Sequence, residues 1–500
     1  MLENIMMGLM EALQIQTLLV IFFGVATGIA IGALPGLGAT MAIALLLPAT
    51  YAMETSSSLL LLIGIFCGGI YGGSISAILI KTPGTAASAA TIDDGYALAQ
   101  KGKAGTALGM SIYASTFGGV FGGLVLLFLS PIIASYSLRF GPPEYFMLAL
   151  FGLTIIASVS GESLSKGIVM ACLGIWVGCV GLDPVSGVTR FTYGISDLIS
   201  GFDLIAIVIG IFAISEVFRQ AFTGSKAISG AAEFRNEKFG IRQVLPYKKT
   251  LFKSSLIGSA IGVLPGVGPA VSSFAAYSEA RRSAKDKSGY GKGSLDGIAA
   301  AESANNGTTG SALIPLLTLG IPADAATGIL LGALILQGVT PGPQFFVSNT
   351  DLVYTIIVGF LIINVVMFFQ AKLAIRYFAK ITMLKSYVLW PPVVLICLVG
   401  GYGIANSMYS VMVAIVFGVF AYIFINRLKY PATPLLIAFI LGPTIERSLQ
   451  QSLMMSRGDY MIFLERPISA VFLFLILTSL FYPVLKKWLS RRLAGTDVAS

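Results

Sequence analysis

The chemistry this chain can offer is concentrated in two short polar stretches set among apolar ones. The first runs from Gly68 as GGIYGGSISAILIKTPGTAASAATIDDGYALAQKGKAG and holds Ser74, Ser76, Lys81, Thr82, Thr85 and Ser88. The second, Glu302-Ser303-Ala304-Asn305-Asn306-Gly307-Thr308-Thr309-Gly310-Ser311, leads straight into LIPLLTLGIP. Its hydroxyl and amide groups on Asn305, Asn306, Thr308, Thr309 and Ser311 can replace a solute's hydration shell without adding charge. Lys81 ends an apolar run, where an ammonium needs an anionic partner, a carbonyl cluster or a snorkelling route to headgroups. Substrate contact and snorkelling both stand open for it.

The Pro83-Gly84 pair should end one helix and Thr85 should cap the next, so that free N–H groups face the break. Such a positive helix end favours carboxylate or phosphate. The matching position in the second half of the chain is Asp324, an equally good cap whose charge repels an anion and can hold a cation. Asp324 and Glu302 are therefore the expected ion-coupling residues, with capping alone as the plainer alternative for Asp324. Helix packing accounts equally for Gly68, Gly69, Gly72 and Gly73. The paired asparagines could serve as turn formers.

Enzyme signatures are missing. The chain has no histidine, which excludes an ordinary Ser-His-Asp triad and any His-containing metal site, and no GxxxxGK[ST] phosphate loop is present. Energy must come from an ion gradient or a partner, and no cofactor is expected beyond a coupling ion, H+ or Na+.

These polar groups need elements to hold them, and the chain supplies them in duplicate. GIAIGALPGLG from Gly28 returns from Gly258 as GSAIGVLPGVG, eight identities in eleven positions at an offset of 230. A weaker echo relates Pro83-Gly84-Thr85-Ala86-Ala87 to Pro322-Ala323-Asp324-Ala325-Ala326 at an offset of 239. Each half thus carries two Pro/Gly breaks, centred on Gly36, Gly38 and Gly84 in the first and on Gly266, Gly268 and Pro322 in the second. A break in a lipid-facing helix strands N–H and C=O groups, so breaks belong where protein or a wet cavity surrounds them. Paired interruptions in corresponding places point to a transporter's central site, while simple kinks that shape the bundle are the alternative.

Composition fixes the solvent. Of 500 residues, 56% are hydrophobic and 11% charged, against about 25% charged in a globular average. Apolar stretches of bilayer-spanning length run from Leu13 to Ala33, Phe202 to Phe218, Val353 to Phe369, Ser407 to Ile425 and Ala470 to Leu485. The spacing predicts an all-α polytopic membrane protein of about 12 transmembrane segments, some broken or re-entrant. It divides into a first repeat (1–218), a cytoplasmic connector (219–253) and a second repeat (254–500). The amino terminus lacks the basic start of a signal peptide and reads as retained.

The net charge of +9 lies in short connectors beside apolar segments, a topology signal and not a nucleic-acid surface. Residues 1–80 contain no Lys or Arg. The duplicated segment 254–280, in contrast, is preceded by Arg219, Lys226, Arg235, Lys238, Arg242, Lys248, Lys249 and Lys253, and followed by Arg281, Arg282, Lys285, Lys287 and Lys292. Both its flanks read as cytoplasmic, so it should enter and return while its counterpart opens from the other side, which makes the repeats inverted. The 183–203 connector reads as external; Lys372 to Lys385, Arg427 to Lys429 and Lys486 to Arg492 read as internal, with Trp390 and Trp488 as interfacial anchors. Cys67, Cys172, Cys179 and Cys397 all lie in apolar runs, and packing is the simplest reading even for Cys172 and Cys179, one heptad apart.

The motifs LPGLGATMAIALLLP, YGGSISAIL, TPGTAASAATIDDGYALAQKGKAGTALG, ESANNGTTGSALIPLLTLGIP and LLGALILQGVTPGP together resemble the large membrane subunit of tripartite tricarboxylate transporters, the TctA type. The resemblance covers nearly the whole chain, in order. It implies a multi-pass secondary transporter of the bacterial inner membrane that imports carboxylates. A small membrane subunit (TctB type) and a periplasmic solute-binding protein (TctC type) would be its partners. It also implies inverted repeats, and it places Gly36, Gly38, Gly266, Gly268, Thr82 to Thr85 and Asn305-Asn306 in characteristic motifs. Lys81 stands where family members often carry an uncharged amide, and Ala323-Asp324 where they often carry a glycine-serine pair, so citrate itself is not implied. The expected function is symport of di- or tricarboxylates by alternating access. A membrane-embedded scaffold or an intramembrane enzyme is the alternative class, and a passive channel a third.

Overall fold

In lipid every backbone polar group must be paired within the chain, and helices do that locally. The computed structural model describes residues 1–159, 163–223, 237, 239–383 and 386–480, and they are helical almost throughout. Lys226, Arg235, Lys238, Lys385, Trp488 and the Lys486 to Arg492 run lie outside the described residues. Among the described residues six helices are long and apolar enough to cross a membrane, and five shorter apolar helices accompany them. The chain is an all-α polytopic membrane protein; among the described residues the one β element is a hairpin pairing Gly181–Leu182 with Thr189–Arg190.

Four of the sequence's apolar stretches coincide with long helices, at Ile15–Gly32, Leu204–Phe222, Thr350–Ile381 and Met408–Arg427. The stretch from Ala470 continues past the described residues. Two further long helices, Thr55–Ile80 and Ala104–Ser137, are diluted by Gly and Ser, and Thr55–Ile80 is the most enclosed span of all at 94% buried.

The chain forms two compact units. One comprises Met1–Leu138 and Asp203–Leu428, the other Arg139–Phe202 and the chain from Lys429 onward. In the first unit the duplicated pieces fold alike. Helix α1 (Ile15–Gly32) breaks and continues as α2 (Gly38–Leu46), and the pair packs on α3 (Thr55–Ile80), which is followed by α4 (Ala104–Ser137). In the second half α5 (Lys248–Gly262) breaks into α6 (Gly268–Ser283), and this pair packs on α7 (Leu295–Leu319), followed by α8 (Ala325–Leu336) and α9 (Thr350–Ile381). The long helices α4 and α7 also pack on each other.

Glycine makes both broken pairs feasible. A Cβ on Gly28 would lie 2.5 Å from the Ile65 carbonyl oxygen, and one on Gly32 would lie 2.3 Å from that of Gly69. The duplicated contacts recur on α7: Gly258 meets the Ala304 carbonyl at 2.2 Å and Gly262 meets the Ser311 hydroxyl at 2.1 Å. Small residues let helices approach until backbones touch, which replaces the hydrophobic driving force that lipid does not provide.

The second unit is knit by ion pairs. Arg466 meets Glu144 at 2.6 Å, and Arg190 meets Asp183 at 3.2 Å and also Glu446. The backbone N–H groups of Ser186 and Val185 hold the Asp183 carboxyl down at about 2, so it stays charged at any physiological pH. All four cysteines are free; Cys67 and Cys397 are buried, and Cys172 is exposed.

The backbone contacts at Gly28 and Gly258 leave no room for a methyl group. Gly28→Ala and Gly258→Ala should each destabilise by about 1–3 kcal/mol through overpacking. A thermal melt in detergent checks this, and unchanged midpoints for both would contradict the close approach.

Candidate transport site at the paired helix breaks

Each break is built from residues that can adopt what a helix interruption demands. Gly36 and Gly38 have φ of +87° and +64°, and Gly266 and Gly268 repeat these values at +87° and +62°. Left-handed backbone of this kind is open to glycine at no steric cost. The second pair of breaks is also matched. Helix α3 ends at Lys81 with φ +55°, and α7 ends at the equivalent Gly320 with φ +69°. Lys81 therefore occupies a position suited to glycine, at a cost of roughly 1–2 kcal/mol.

Beyond the breaks both halves use a capping box. The Thr85 side chain accepts from the Ser88 N–H while the Ser88 hydroxyl accepts from the Thr85 N–H; Asp324 and Thr327 do the same one half later. The capping expected at Thr85 and Asp324 is present at both. Thr82 makes only a local contact, to the Ile80 carbonyl at 3.3 Å.

Within each half the two breaks meet. A Cβ on Gly38 would lie 3.5 Å from the Gly84 carbonyl, and one on Gly268 would lie 3.2 Å from the Asp324 Cβ. Gly84 itself presses on the end of α1, where a Cβ would be 1.9 Å from the Gly32 carbonyl oxygen. The halves then interlock: α2 packs on α8, and α6 packs on the Ala86–Thr91 turn that follows Thr85. The helix leaving each hairpin break thus rests on the element leaving the other half's second break.

The polar run of the second half is not a turn. It lies inside α7, buried continuously from Gly297 to Thr318, so the turn-forming alternative for Asn305 and Asn306 is overturned. The apolar sequence on either side and the absence of an internal breaker before Pro315 carry the helix through. Glu302 is fully buried and meets uncharged donors among the described residues, three hydroxyls and the Asn305 amide. Ser74 donates to it at 2.6 Å, Ser115 donates at 3.1 Å, and Thr91 donates through a short hydrogen bond. Among the described residues no cationic side chain pairs with it. Thr308 sits 2.6 Å from Ser272 and donates to the Gly258 and Ala304 carbonyls, tying α5, α6 and α7 together.

Ser76, Thr309 and Ser311 return their hydroxyls to carbonyls of their own helices. The asparagines are less satisfied. Asn306 donates to Asn305 at 2.5 Å and to the Glu302 carbonyl at 3.0 Å; the Asn305 amide lies beside the Glu302 carboxylate, and Asn306 Oδ1 is buried without a partner among the described residues. Such an orphaned group is costly in a closed core and suits a site that a polar solute fills. Lys81 is exposed, with its ammonium 5.8 Å from the centre of the Tyr96 ring, and it forms no ion pair with Asp324 among the described residues.

One residue in the polar motifs does work that spacing alone does not announce. Asp94 is fully buried and accepts from the Gly293 and Ser294 N–H groups at 2.9 and 2.8 Å and from the Tyr277 hydroxyl at 2.8 Å. It pins the loop before α7 to the first half, and Lys101 adds a bond to the Lys292 carbonyl. The signal was an acid sharing a helix face with buried Leu98.

Duplicated, interrupted helices closing on a polar interior define a membrane protein of the transporter class. The comparisons with known proteins agree. The family model for the tripartite tricarboxylate transporter TctA family matches residues 18–437, and the chain belongs to that family. It is 37% identical over 468 residues to an uncharacterized 52.8 kDa protein in the TAR-I ttuC' 3'region of Agrobacterium vitis, covering 94% of this chain and 93% of that one. A second Agrobacterium vitis protein, from the TAR-II ttuC' 3'region, is 38% identical over 235 residues, 47% of this chain and 97% of its own length. No solved structure matches. Family membership makes the chain a tricarboxylate-transporter large subunit within a tripartite system.

Asp94→Ala removes the acceptor of three bonds, each worth about 1.5–3 kcal/mol when the acceptor is charged. Trypsin should cut between Arg281 and Lys292 at least about 10-fold faster in the folded variant, as local opening becomes easier. Equal cleavage rates would show that the loop is held by other contacts.

Proposed function

We propose that the chain is the membrane-embedded permease of a binding-protein-dependent secondary transporter that imports di- or tricarboxylates across a bacterial inner membrane. A small membrane subunit and a periplasmic solute-binding protein work with it, and an ion gradient of H+ or Na+ drives it. Two inverted repeats, 1–218 and 254–500, joined by the 219–253 connector, alternate access to the site between their breaks. The observation that carries this reading is the meeting of two breaks within each half and the reciprocal packing of the halves, α2 on α8 and α6 on the Ala86–Thr91 turn. Helix ends gathered in this way offer N–H groups to a carboxylate.

In this reading the substrate is held by the capping residues Thr85 and Ser88, by Ser74, Ser76, Lys81 and Thr82 near the first break, and by Asn305, Asn306, Thr308, Thr309 and Ser311 on α7. The Asn306 amide oxygen, unpartnered among the described residues, is its strongest support. Glu302 and Asp324 carry the ion coupling. Support for Glu302 lies in its having no cationic partner among the described residues, because an ionised carboxylate sealed in a membrane core is expensive unless a cation joins it.

Vesicles holding the whole tripartite system should take up labelled citrate or succinate only under an ion gradient, and an ionophore should abolish uptake. Uptake that survives the ionophore would indicate a passive channel. If Lys81 touches the substrate, Lys81→Gln should weaken binding by about 1.5–3 kcal/mol, roughly 10- to 150-fold. Unchanged affinity would leave Lys81 as a snorkelling residue.

A further inference from the structure

A cavity of about 240 Å³ enters the first unit between α4, α9, Glu237 and Phe239. Its mouth carries charge and aromatic rings. Lys372 lies 5.7 Å from the Tyr113 ring centre and 3.3 Å from its hydroxyl, and Phe239 covers Gly109, where a Cβ would be 2.6 Å from the ring. Glu237 at the rim is engaged by the Thr106 N–H at 3.2 Å and by its hydroxyl at 2.5 Å. The wall contains Ile112, and at the inner end stands Tyr71, fully buried, with a hydroxyl that has no hydrogen-bond partner among the described residues.

The inner end lies close to Glu302 along two helices at once. Tyr71 is three residues before Ser74 on α3, and Ile112 is three residues before Ser115 on α4, so each shares a helix face with a hydroxyl that donates to Glu302. The cavity floor is therefore about one helical turn, roughly 5 Å, from the Glu302 shell. Ser74 on α3, Thr91 on the turn after Thr85, Ser115 on α4 and Asn305 on α7 surround the carboxylate, Tyr71 lies near it, and no Lys, Arg or second acid faces it among the described residues.

We infer that this cavity is the route by which a proton reaches and leaves Glu302 from the face carrying Lys372, Glu237 and Phe239, with Tyr71 as the hydrogen-bonding residue between water and carboxylate. Positive-inside asymmetry assigns that face to the cytoplasm. The inference rests on Glu302 as a coupling residue and commits the ion to a proton. Three hydroxyls that all donate to one carboxylate suit protonation, because a hydroxyl can turn from donor to acceptor as the carboxyl gains its O–H. Sodium would require all three to turn their protons away together. On release the Tyr71 oxygen takes the carboxyl proton as its own O–H proton passes to water in the cavity, the phenol turns back to its starting orientation, and the carboxylate recovers its three hydroxyl donors, so Tyr71 ends unchanged.

The test uses vesicles of both orientations containing the full tripartite system. With the four native cysteines replaced by serine, Ile112→Cys or Ile375→Cys should react with a membrane-impermeant trimethylammonium thiosulfonate from the cytoplasmic side only. No reaction from that side at either position overturns the route. Tyr71→Phe keeps the ring, and the ratio of proton-driven uptake of labelled citrate or succinate to its exchange should fall at least 10-fold. An unchanged ratio, or an equal loss of both activities, overturns the role of Tyr71. Dependence on sodium alone overturns the commitment to a proton, whereas proton coupling that persists in Glu302→Gln removes Glu302 as the coupling residue, whatever Tyr71→Phe shows.

Discussion

A carboxylate enclosed by membrane helices, with only uncharged hydroxyl and amide partners among the described residues, is the constraint around which this structure makes sense. Ionised, Glu302 would forfeit several kcal/mol of hydration that three hydroxyl bonds only partly restore. Its donors come from three separate elements, 228, 211 and 187 residues away in sequence. The same contacts that satisfy the acid therefore fix α3, α4 and the Ala86–Thr91 turn against α7. A change in the charge of Glu302 is felt at once by all of them, and this is what a coupling residue requires.

The breaks solve a related difficulty. Interrupting a helix in lipid strands backbone groups, and the chain answers by placing every interruption against another: Gly38 near Gly84, Gly268 near Asp324, and capping boxes at Thr85 and Asp324 to take up the first free N–H groups. The close glycine contacts of α1 with α3 and of α5 with α7 hold these ends in place. Duplication explains why both halves use the same device, and divergence explains the differences. Lys81 stands in left-handed backbone where the other half has Gly320, and Asp324 brings a charge where the first half has Thr85.

Much of this could be read from residues alone. The two LPG-containing repeats announced their breaks, and the β-region caps followed from Thr and Asp one residue past a Pro-Gly or Pro-Ala pair. The membrane class followed from composition. What stayed hidden depended on distance in sequence. Thr91 and Ser115 are ordinary hydroxyls until α7 brings Glu302 to them, and Asp94 is one of two adjacent acids until Gly293 and Ser294 close on it. Asn305 and Asn306 suggested a turn because local propensity favours one, yet burial on all sides of α7 overrode that preference. Thr55–Ile80 escaped the simplest apolar scan because glycines and serines, which let it sit in the centre of the bundle, also lower its hydropathy.

Infrared difference spectroscopy of the purified full-length protein across a pH titration addresses the exchangeable charge most directly. The account predicts a carboxylic C=O band that appears on acidification and is absent from the Glu302→Gln protein. A titration whose carboxyl bands are the same in both proteins would contradict it, because Glu302 would then hold a single protonation state throughout.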